Sequence, residues 1–304
     1  MLVPACLGGL GALVAGVGWF YSTVLLRPER AVDVIEFWPH GPAPDSVGLS
    51  FQEISVDGPL GSYPAWFVPG DADTWAVAVH GRGADRREAL RVLPTLHALG
   101  VPTIVVTYRN DDEAPASPDG YYHLGESEWA DVGAAVREAR SRGARRVVLV
   151  GWSMGAAIIG AYLSSPDRDL LPIAGVIWDS PVVDWRAVLR QQARLRKLPS
   201  WLADLACWWA TARTGVRFDA LDLIRHPPSV RPPTLVLHGA QDDAVLPSSS
   251  QELAAVAERL DWPMRYREFP GAVHTAGWNA DPGGYEAAVA EFLTSEVLAP
   301  TPAH

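Results

Sequence analysis

The stretch from Arg146 to Gly155, Arg-Val-Val-Leu-Val-Gly-Trp-Ser-Met-Gly, decides the fold of this chain. Apolar residues on successive positions predict a strand buried on both faces, and a helical pattern begins at Met154. Gly-x-Ser-x-Gly at such a junction is typical of a sharp turn that lifts the Ser153 hydroxyl above a sheet. The flanking positions 151 and 155 must then be small. Ser is also a common helix N-cap, so this interpretation needs support from the rest of the chain.

Strands and helices alternate on both sides of this turn. The sequence predicts a hairpin of two strands and then six short strands, at 51–56, 63–68, 75–79, 103–108, 146–150, 175–178, 234–238 and 264–269. Helical periodicity covers 86–99, 126–142, 154–163, 249–260 and 285–297. This alternation predicts an α/β fold with a mostly parallel sheet and helices on both faces. Ligands of such sheets bind beyond the carboxyl ends of the strands.

Two of those strand ends carry the groups that a nucleophilic Ser requires. Asp242 follows the seventh predicted strand, and His274 follows the last one. The chain order Ser, Asp, His predicts that His274 takes the proton of Ser153 and that Asp242 orients the imidazole and stabilises its cation. Two alternatives stay open for the carboxylate, because Asp243 is adjacent and Asp179 ends another strand.

The oxyanion of a tetrahedral intermediate needs preorganised hydrogen-bond donors. The backbone N–H of Met154 is one candidate. The loop after the third strand reads His80-Gly81-Arg82-Gly83, where Gly permits a close approach, so the N–H of Arg82 is the second candidate. The Arg82 side chain either meets a substrate carboxylate or is exposed. His80 and His238 are interpreted as structural hydrogen-bonding residues, and His123 as a solvated or pocket-lining loop residue.

With these motifs the chain resembles the alpha/beta-hydrolase superfamily, and within it serine hydrolases of the monoacylglycerol-lipase and serine-aminopeptidase type, some of them membrane-anchored. The matching pieces are His80-Gly81-Arg82-Gly83, Gly151-Trp152-Ser153-Met154-Gly155, His238-Gly239-x-x-Asp242-x-x-Val245 and His274. The resemblance spans about residues 51–298. It implies eight strands with the second antiparallel, a small helical lid at about 184–228, and no cofactor. Many relatives have Gly where this chain has Val273, which is expected to narrow the site.

The lid segment has two notable patterns. Ser200 is placed to cap a helix on which Trp201, Leu205, Trp208 and Trp209 share one face. This apolar face either covers an acyl or aromatic group of the substrate or packs on the core. A run of basic residues between 186 and 197 either contacts anionic lipid or is a solvated surface.

The N-terminus predicts a membrane element. Residues 2–26 contain no charged side chain, and as a helix rising about 1.5 Å per residue they extend roughly 37 Å, enough to cross a bilayer. No basic residue precedes them, which favours an uncleaved anchor over a signal peptide. Arg27 and Arg30 follow and predict a single-pass protein of the cell membrane with a cytoplasmic domain. The predicted organisation is an anchor at 1–26, a linker at 27–48, a hydrolase domain at 49–298 and a tail at 299–304.

The composition of the chain excludes several classes of function and site. Lys and Arg total 25 against 35 Asp and Glu, and the net charge of -10 argues against general nucleic-acid binding. Cys6 and Cys207 are the only cysteines, which excludes a disulfide framework and a Cys-based zinc site. No metal or cofactor is expected. The favoured activity is hydrolysis of carboxylic esters, and then of peptides or amides, through an acyl-enzyme. The alternatives are a non-catalytic binding protein and an acyltransferase or perhydrolase with the same triad.

Overall fold

A single eight-stranded sheet organises the chain. The structure, a computed structural model, describes residues 3–28 and 41–299. The strand order is β1-β2-β4-β3-β5-β6-β7-β8. The second strand is antiparallel to both of its neighbours, and every other pair is parallel, as expected for an alpha/beta-hydrolase fold. The strands are β1 Gln52–Gly58, β2 Gly61–Val68, β3 Thr74–Val79, β4 Thr103–Val106, β5 Arg146–Trp152, β6 Ile173–Asp179, β7 Thr234–Gly239 and β8 Met264–Phe269.

Helices cover both faces of the sheet. They are α1 Val3–Leu26, α2 Leu93–Ala98, α3 Trp129–Ser141, α4 Met154–Ser164, α5 Trp185–Leu195, α6 Trp201–Thr214, α7 Pro247–Arg259, α8 Gly277–Ala280 and α9 Pro282–Phe292. The helix predicted over 86–99 is instead a 3-10 segment, Arg86–Arg91, followed by α2. Pro94 explains part of this break, because it has no N–H to donate to the preceding turn.

The central strands are buried on both faces, which is why their apolar residues are consecutive. All residues of β3 and β7 are buried. Alternate side chains of β3 enter different layers: Val77 and Val79 pack with the layer that contains α3 and α4, whereas Ala76 and Ala78 pack with α2 and α9. The carboxyl ends of β3, β5, β6, β7 and β8 therefore open on one edge of a well-packed sheet.

The predicted transmembrane anchor is not supported. Among residues 3–28 and 41–299, no helix has both the length and the apolar character required to cross a membrane. The last turn of α1 has a protein partner instead, since Leu26 and Ser22 are fully buried. Most of the predicted linker, residues 29–40, and tail residues 300–304 lie outside the described part of the chain. The membrane location and the cytoplasmic orientation stay predictions.

The lid segment contains α5 and α6, and the predicted apolar face of α6 is only partly buried: Leu205 and Trp209 contact α1, whereas Trp201 and Trp208 do not belong to the buried face. The buried face of that helix carries Leu202, Ala203, Ala206, Cys207 and Ala210. Trp201 and Trp208 are about half exposed, at 49% and 59%. Ser200 stands at the N-cap but its side chain makes no capping hydrogen bond.

Candidate active site

The Ser153 turn has the strained geometry that its glycines permit. Ser153 has φ 49° and ψ -113°, a conformation that a non-Gly residue adopts only when its surroundings impose it. A Cβ on Gly151 would lie 2.6 Å from Ile159 Cδ1 and 2.9 Å from the Ala156 nitrogen. On Gly155 it would collide with the Val79 carbonyl oxygen and lie 2.7 Å from that of His80. The requirement for small residues at both positions is therefore steric.

The structure brings the predicted Ser, His and Asp together. His274 Nε2 lies 2.9 Å from Ser153 Oγ, and His274 Nδ1 lies 2.7 Å from Asp242 Oδ2. An ionised carboxylate only accepts hydrogen bonds, so Nδ1 carries the proton and Nε2 has a lone pair for the Ser hydroxyl. The three side chains form a continuous chain of hydrogen bonds at the carboxyl ends of β5, β7 and β8.

The carboxylate bonded to His274 is Asp242, and neither of the two alternatives. Asp242 is 3% exposed and accepts hydrogen bonds from the backbone N–H of Ala244 and Val245, at 3.0 and 2.9 Å. Burial alone would raise its pKa, but hydrogen bonds from His238 and His274 outweigh burial and lower the pKa well below its ordinary value. Asp242 is therefore ionised.

The two alternative carboxylates have other hydrogen-bond partners. Asp179 is buried and accepts hydrogen bonds from Tyr285 Oη at 3.1 Å and Ser180 Oγ at 3.2 Å. Burial raises the pKa of Asp179. Asp243 is exposed, and its carbonyl oxygen accepts a hydrogen bond from Gln191.

The pKa of the His274 imidazole is raised. Burial acts to lower it, but the hydrogen bond and charge of Asp242 outweigh burial, with smaller contributions from Asp179 and Glu88. The groups that raise this pKa would also stabilise the imidazolium that forms when His274 holds the Ser153 proton.

His238 is the structural residue that the sequence predicts, with one contact that the sequence did not reveal. Its Nε2 lies 2.9 Å from the Val245 carbonyl oxygen and 3.2 Å from Asp242 Oδ2. Both are acceptors, so Nε2 carries a proton, and Nδ1 lies 2.8 Å from Ser250 Oγ. The fully buried ring thus contacts the same oxygen of Asp242, Oδ2, that His274 contacts.

The loop after β3 lies against Ser153, where a second oxyanion donor is predicted. A Cβ built on Gly81 would lie 3.2 Å from Ser153 Cβ. The Gly81 carbonyl oxygen accepts hydrogen bonds from Tyr108 Oη at 3.0 Å and His80 Nδ1 at 2.9 Å. Because the C=O and the following N–H of a trans peptide point in opposite directions, the Arg82 N–H is directed away from Tyr108 and His80.

The other predicted donor is at the start of a helix. Met154 is the first residue of α4, and the first N–H groups of a helix have no partner within it. The positive end of the helix dipole is at the same place. The position suits stabilisation of a negative charge on the oxygen of a substrate carbonyl carbon that has bonded to Ser153 Oγ.

The Arg82 side chain is half-buried rather than exposed, and the predicted contact with a substrate carboxylate stays a prediction. Its guanidinium donates to the main-chain carbonyl oxygens of Val24, at 2.6 Å, and Leu25, at 3.1 Å. These carbonyls belong to the last turn of α1. The sequence contained no signal for this contact, because it joins residues more than fifty positions apart.

A buried ion pair behind the site is a second feature that sequence reasoning missed. Glu88 and Arg91 are 2% and 4% exposed and lie 2.9 Å apart. Glu88 Oε2 accepts the Gly81 N–H at 2.6 Å, and Arg91 donates to the Thr275 carbonyl oxygen. The pair therefore joins the loop before Arg82 to the loop that carries His274.

A cavity of about 290 Å³ lies over Ser153 and His274. Its wall is mostly apolar and comes from α1, α5, α6 and the loops after β3, β6 and β7. The polar members of the wall besides Ser153 and His274 are Arg82, Gln192 and Arg196. The other members are Tyr21, Val24, Leu25, Val182, Trp185, Val188, Leu189, Ala193, Leu198, Leu202, Ala203, Ala206, Ala244 and Val245. The expectation that Val273 narrows the site is wrong, since that side chain is 41% exposed and is not part of the wall. His123 is also outside it and lies 3.0 Å from Asp119. Within the described residues no cluster of His, Cys, Asp and Glu could hold a metal ion.

The known proteins that this chain resembles have the same fold. The sequence model of the prolyl oligopeptidase family matches residues 117–298. An esterase of Pyrococcus furiosus is 18% identical with a TM-score of 0.69, covering 90% of this chain and 98% of its own. An esterase/lipase from an uncultured bacterium is 18% identical with a TM-score of 0.63, covering 92% and 97%. Acylaminoacyl peptidase of Pyrococcus horikoshii is 13% identical with a TM-score of 0.62, covering 84% of this chain and 43% of its own. No curated protein sequence matches significantly.

Proposed function

Because the chain belongs to the prolyl oligopeptidase family of hydrolases, we propose that it cleaves carboxylic esters through an acyl-enzyme on Ser153. The observation that carries this proposal is the hydrogen-bonded series Ser153–His274–Asp242 at the floor of an apolar cavity. Membership of a hydrolase family argues against the alternative that the chain is a non-catalytic binding protein. The narrower resemblance to the monoacylglycerol-lipase type stays a prediction.

In the proposed reaction, His274 Nε2 removes the proton of Ser153 as Oγ attacks the substrate carbonyl carbon. The negative oxygen of the tetrahedral intermediate accepts hydrogen bonds from the N–H groups of Met154 and Arg82. His274 then gives its proton to the leaving alcohol, and the acyl group stays on Ser153. Water repeats the sequence and releases the carboxylic acid. Asp242 keeps His274 in the required tautomer throughout.

The cavity favours an ester with a short or medium acyl group over a peptide. Its volume is at the lower end of the range of about 300–1,000 Å³ for small-molecule sites. An apolar wall gains free energy when it contacts an acyl chain. A peptide would instead place backbone N–H and C=O groups against that wall without partners, at a cost of about 1–3 kcal/mol each.

An active-site probe tests the proposal. A fluorophosphonate is expected to label the wild type at Ser153, and p-nitrophenyl butyrate is expected to be hydrolysed. Ser153→Ala is expected to abolish labelling and to lower kcat by at least about four orders of magnitude, because the nucleophile is removed. Ser180→Ala, a Ser on the neighbouring loop, is the control and should still be labelled. If neither the folded wild type nor Ser180→Ala is labelled, the proposal is contradicted.

We also propose that the protein works at an anionic membrane surface. In the lid segment, exposed Leu195 and Trp201 lie beside the exposed basic side chains of Arg194, Arg196 and Lys197. Trp favours the membrane interface, and basic residues are attracted to anionic headgroups by about 1 kcal/mol each. This combination fits a lipid surface next to the cavity.

Vesicle sedimentation tests the membrane proposal. The protein is expected to sediment with phosphatidylglycerol vesicles and to be released by high salt, since the attraction is partly electrostatic. Leu195→Ser combined with Trp201→Ser should weaken binding about ten-fold or more, because apolar contact area is lost. Leu170→Ser is the control: Leu170 is 82% exposed and lies at the opposite edge of the sheet, before β6. Equal weakening by both changes would argue against this surface.

A further inference from the structure

The end of α1 is built into the catalytic domain. A Cβ on Gly18 would lie 2.6 Å from Leu205 Cγ and 2.8 Å from Trp209 Cδ1 of α6, so only Gly allows the two helices to approach this closely. The ring of Trp19 meets that of Trp209 edge to face at 5.3 Å. The Leu205 and Trp209 side of α6 therefore has α1 as its partner.

Polar contacts fix the last two turns of α1 in place. Arg213 Nη1 of α6 donates to Ser22 Oγ at 3.0 Å and to Thr23 Oγ1 at 2.7 Å. The Arg82 guanidinium donates to carbonyls in the last turn, as described above, and the Tyr122 N–H donates to the Leu26 carbonyl at 2.8 Å. The last carbonyls of a helix have no partner within it, and a cation there also complements the helix dipole. The turn is thus tied to the loop that carries the predicted oxyanion donor.

One face of the last two turns of α1 lines the active-site cavity. Tyr21, Val24 and Leu25 have the i, i+3, i+4 spacing of a single helix face, and all three line the cavity that contains Ser153 and His274. Leu25 is 8% exposed, whereas Val24 is 43% exposed. Leu25 therefore lies deeper, and Val24 borders the opening.

The geometry points to the last turn of α1 as a wall of the acyl-binding subsite, with residue 24 setting the length of acyl chain that the site accepts. This inference rests on the ester hydrolysis proposed above. The acyl chain extends from Ser153 between α1 and α5, so its far end passes Val24. A segment that precedes the hydrolase domain in the sequence thus contributes to substrate selection.

Substitution of Val24 in the full chain tests this assignment. Val24→Trp fills the opening and is expected to lower the ratio of kcat/KM for p-nitrophenyl octanoate to kcat/KM for p-nitrophenyl acetate about ten-fold or more. The reason is that one methylene that does not fit an apolar pocket lowers kcat/KM by about 10–200-fold. Val24→Ala widens the opening and should raise the ratio of dodecanoate to octanoate. Phe20→Trp is the matched control, because Phe20 is on the same helix, is 60% exposed and does not line the cavity.

The outcomes separate this inference from the proposed function. The assignment is supported if Val24→Trp lowers the octanoate-to-acetate ratio and Val24→Ala raises the dodecanoate-to-octanoate ratio. In Phe20→Trp both ratios should stay within about two-fold of wild type. If both Val24 variants keep the wild-type ratios while fluorophosphonate still labels them, α1 is not the acyl wall and the hydrolase proposal stands. If the folded wild type is neither labelled nor active on any of these esters, the proposed function fails, and this inference fails with it.

Discussion

Asp242→Asn is expected to lower kcat by about four orders of magnitude, as loss of the carboxylate does in Ser-His-Asp enzymes. The amide can present its NH2 group to His274 Nδ1, which then has to accept. The proton moves to Nε2, the atom that must be free to take the Ser153 proton. The 2.7 Å contact between Asp242 and His274 makes this tautomer change the main consequence of the substitution.

Asp179→Asn is the matched control for this experiment. Asp179 is also buried at a strand end, but its two oxygens accept from separate hydroxyls, Oδ2 from Tyr285 and Oδ1 from Ser180. After the substitution, the Asn carbonyl oxygen can accept from one hydroxyl and the NH2 group can donate to the other, because a hydroxyl oxygen also accepts. We expect kcat within about ten-fold of wild type, because Asp179 does not bond to His274. Steady-state kinetics with p-nitrophenyl butyrate and a thermal melt of each variant provide the comparison. A greater loss in Asp179→Asn than in Asp242→Asn would reverse the assignment of the carboxylate.

The residues at the strand ends could be predicted because their chemistry and their place in the fold depend on local sequence. Buried strands are marked by consecutive apolar residues, and their carboxyl ends fall on one edge whatever lies between them. That reasoning placed Ser153 and His274 without coordinates. It predicted Asp242 as the carboxylate but left Asp179 and Asp243 as alternatives, because the sequence does not specify the direction of a side chain at a strand end.

The packing of α1 against α6 could not be predicted, because an apolar helix does not specify what covers it. The side chains that suggested a bilayer are equally suited to a protein surface. Gly18 was not distinguished from the other glycines of the segment, since only the position of Leu205 and Trp209 makes its lack of a side chain necessary. Arg82 was likewise assigned to solvent or substrate, because its partners are main-chain carbonyls, which every residue has.

The Glu88–Arg91 pair is the basis of the second large effect that we expect. Arg91→Met removes the cation and leaves a buried carboxylate without its partner, which costs about 3–5 kcal/mol of the free energy of unfolding. Arg265→Met is the control. Arg265 pairs with Glu291 at 3.1 Å and with Glu296, but it is 43% exposed, and a surface pair contributes at most about 1 kcal/mol. Denaturant unfolding at matched pH gives both values.

The pH dependence of that loss distinguishes an unpaired charge from a packing defect. Burial already raises the pKa of Glu88, and removal of Arg91 is expected to raise it further. A folded-state pKa above the unfolded value means that stability is retained below the unfolded pKa and is lost as pH rises through the folded one. The Arg91→Met deficit should therefore be larger at neutral pH than in mild acid. A deficit that is independent of pH, or no larger than that of Arg265→Met, would show that Glu88 does not need Arg91.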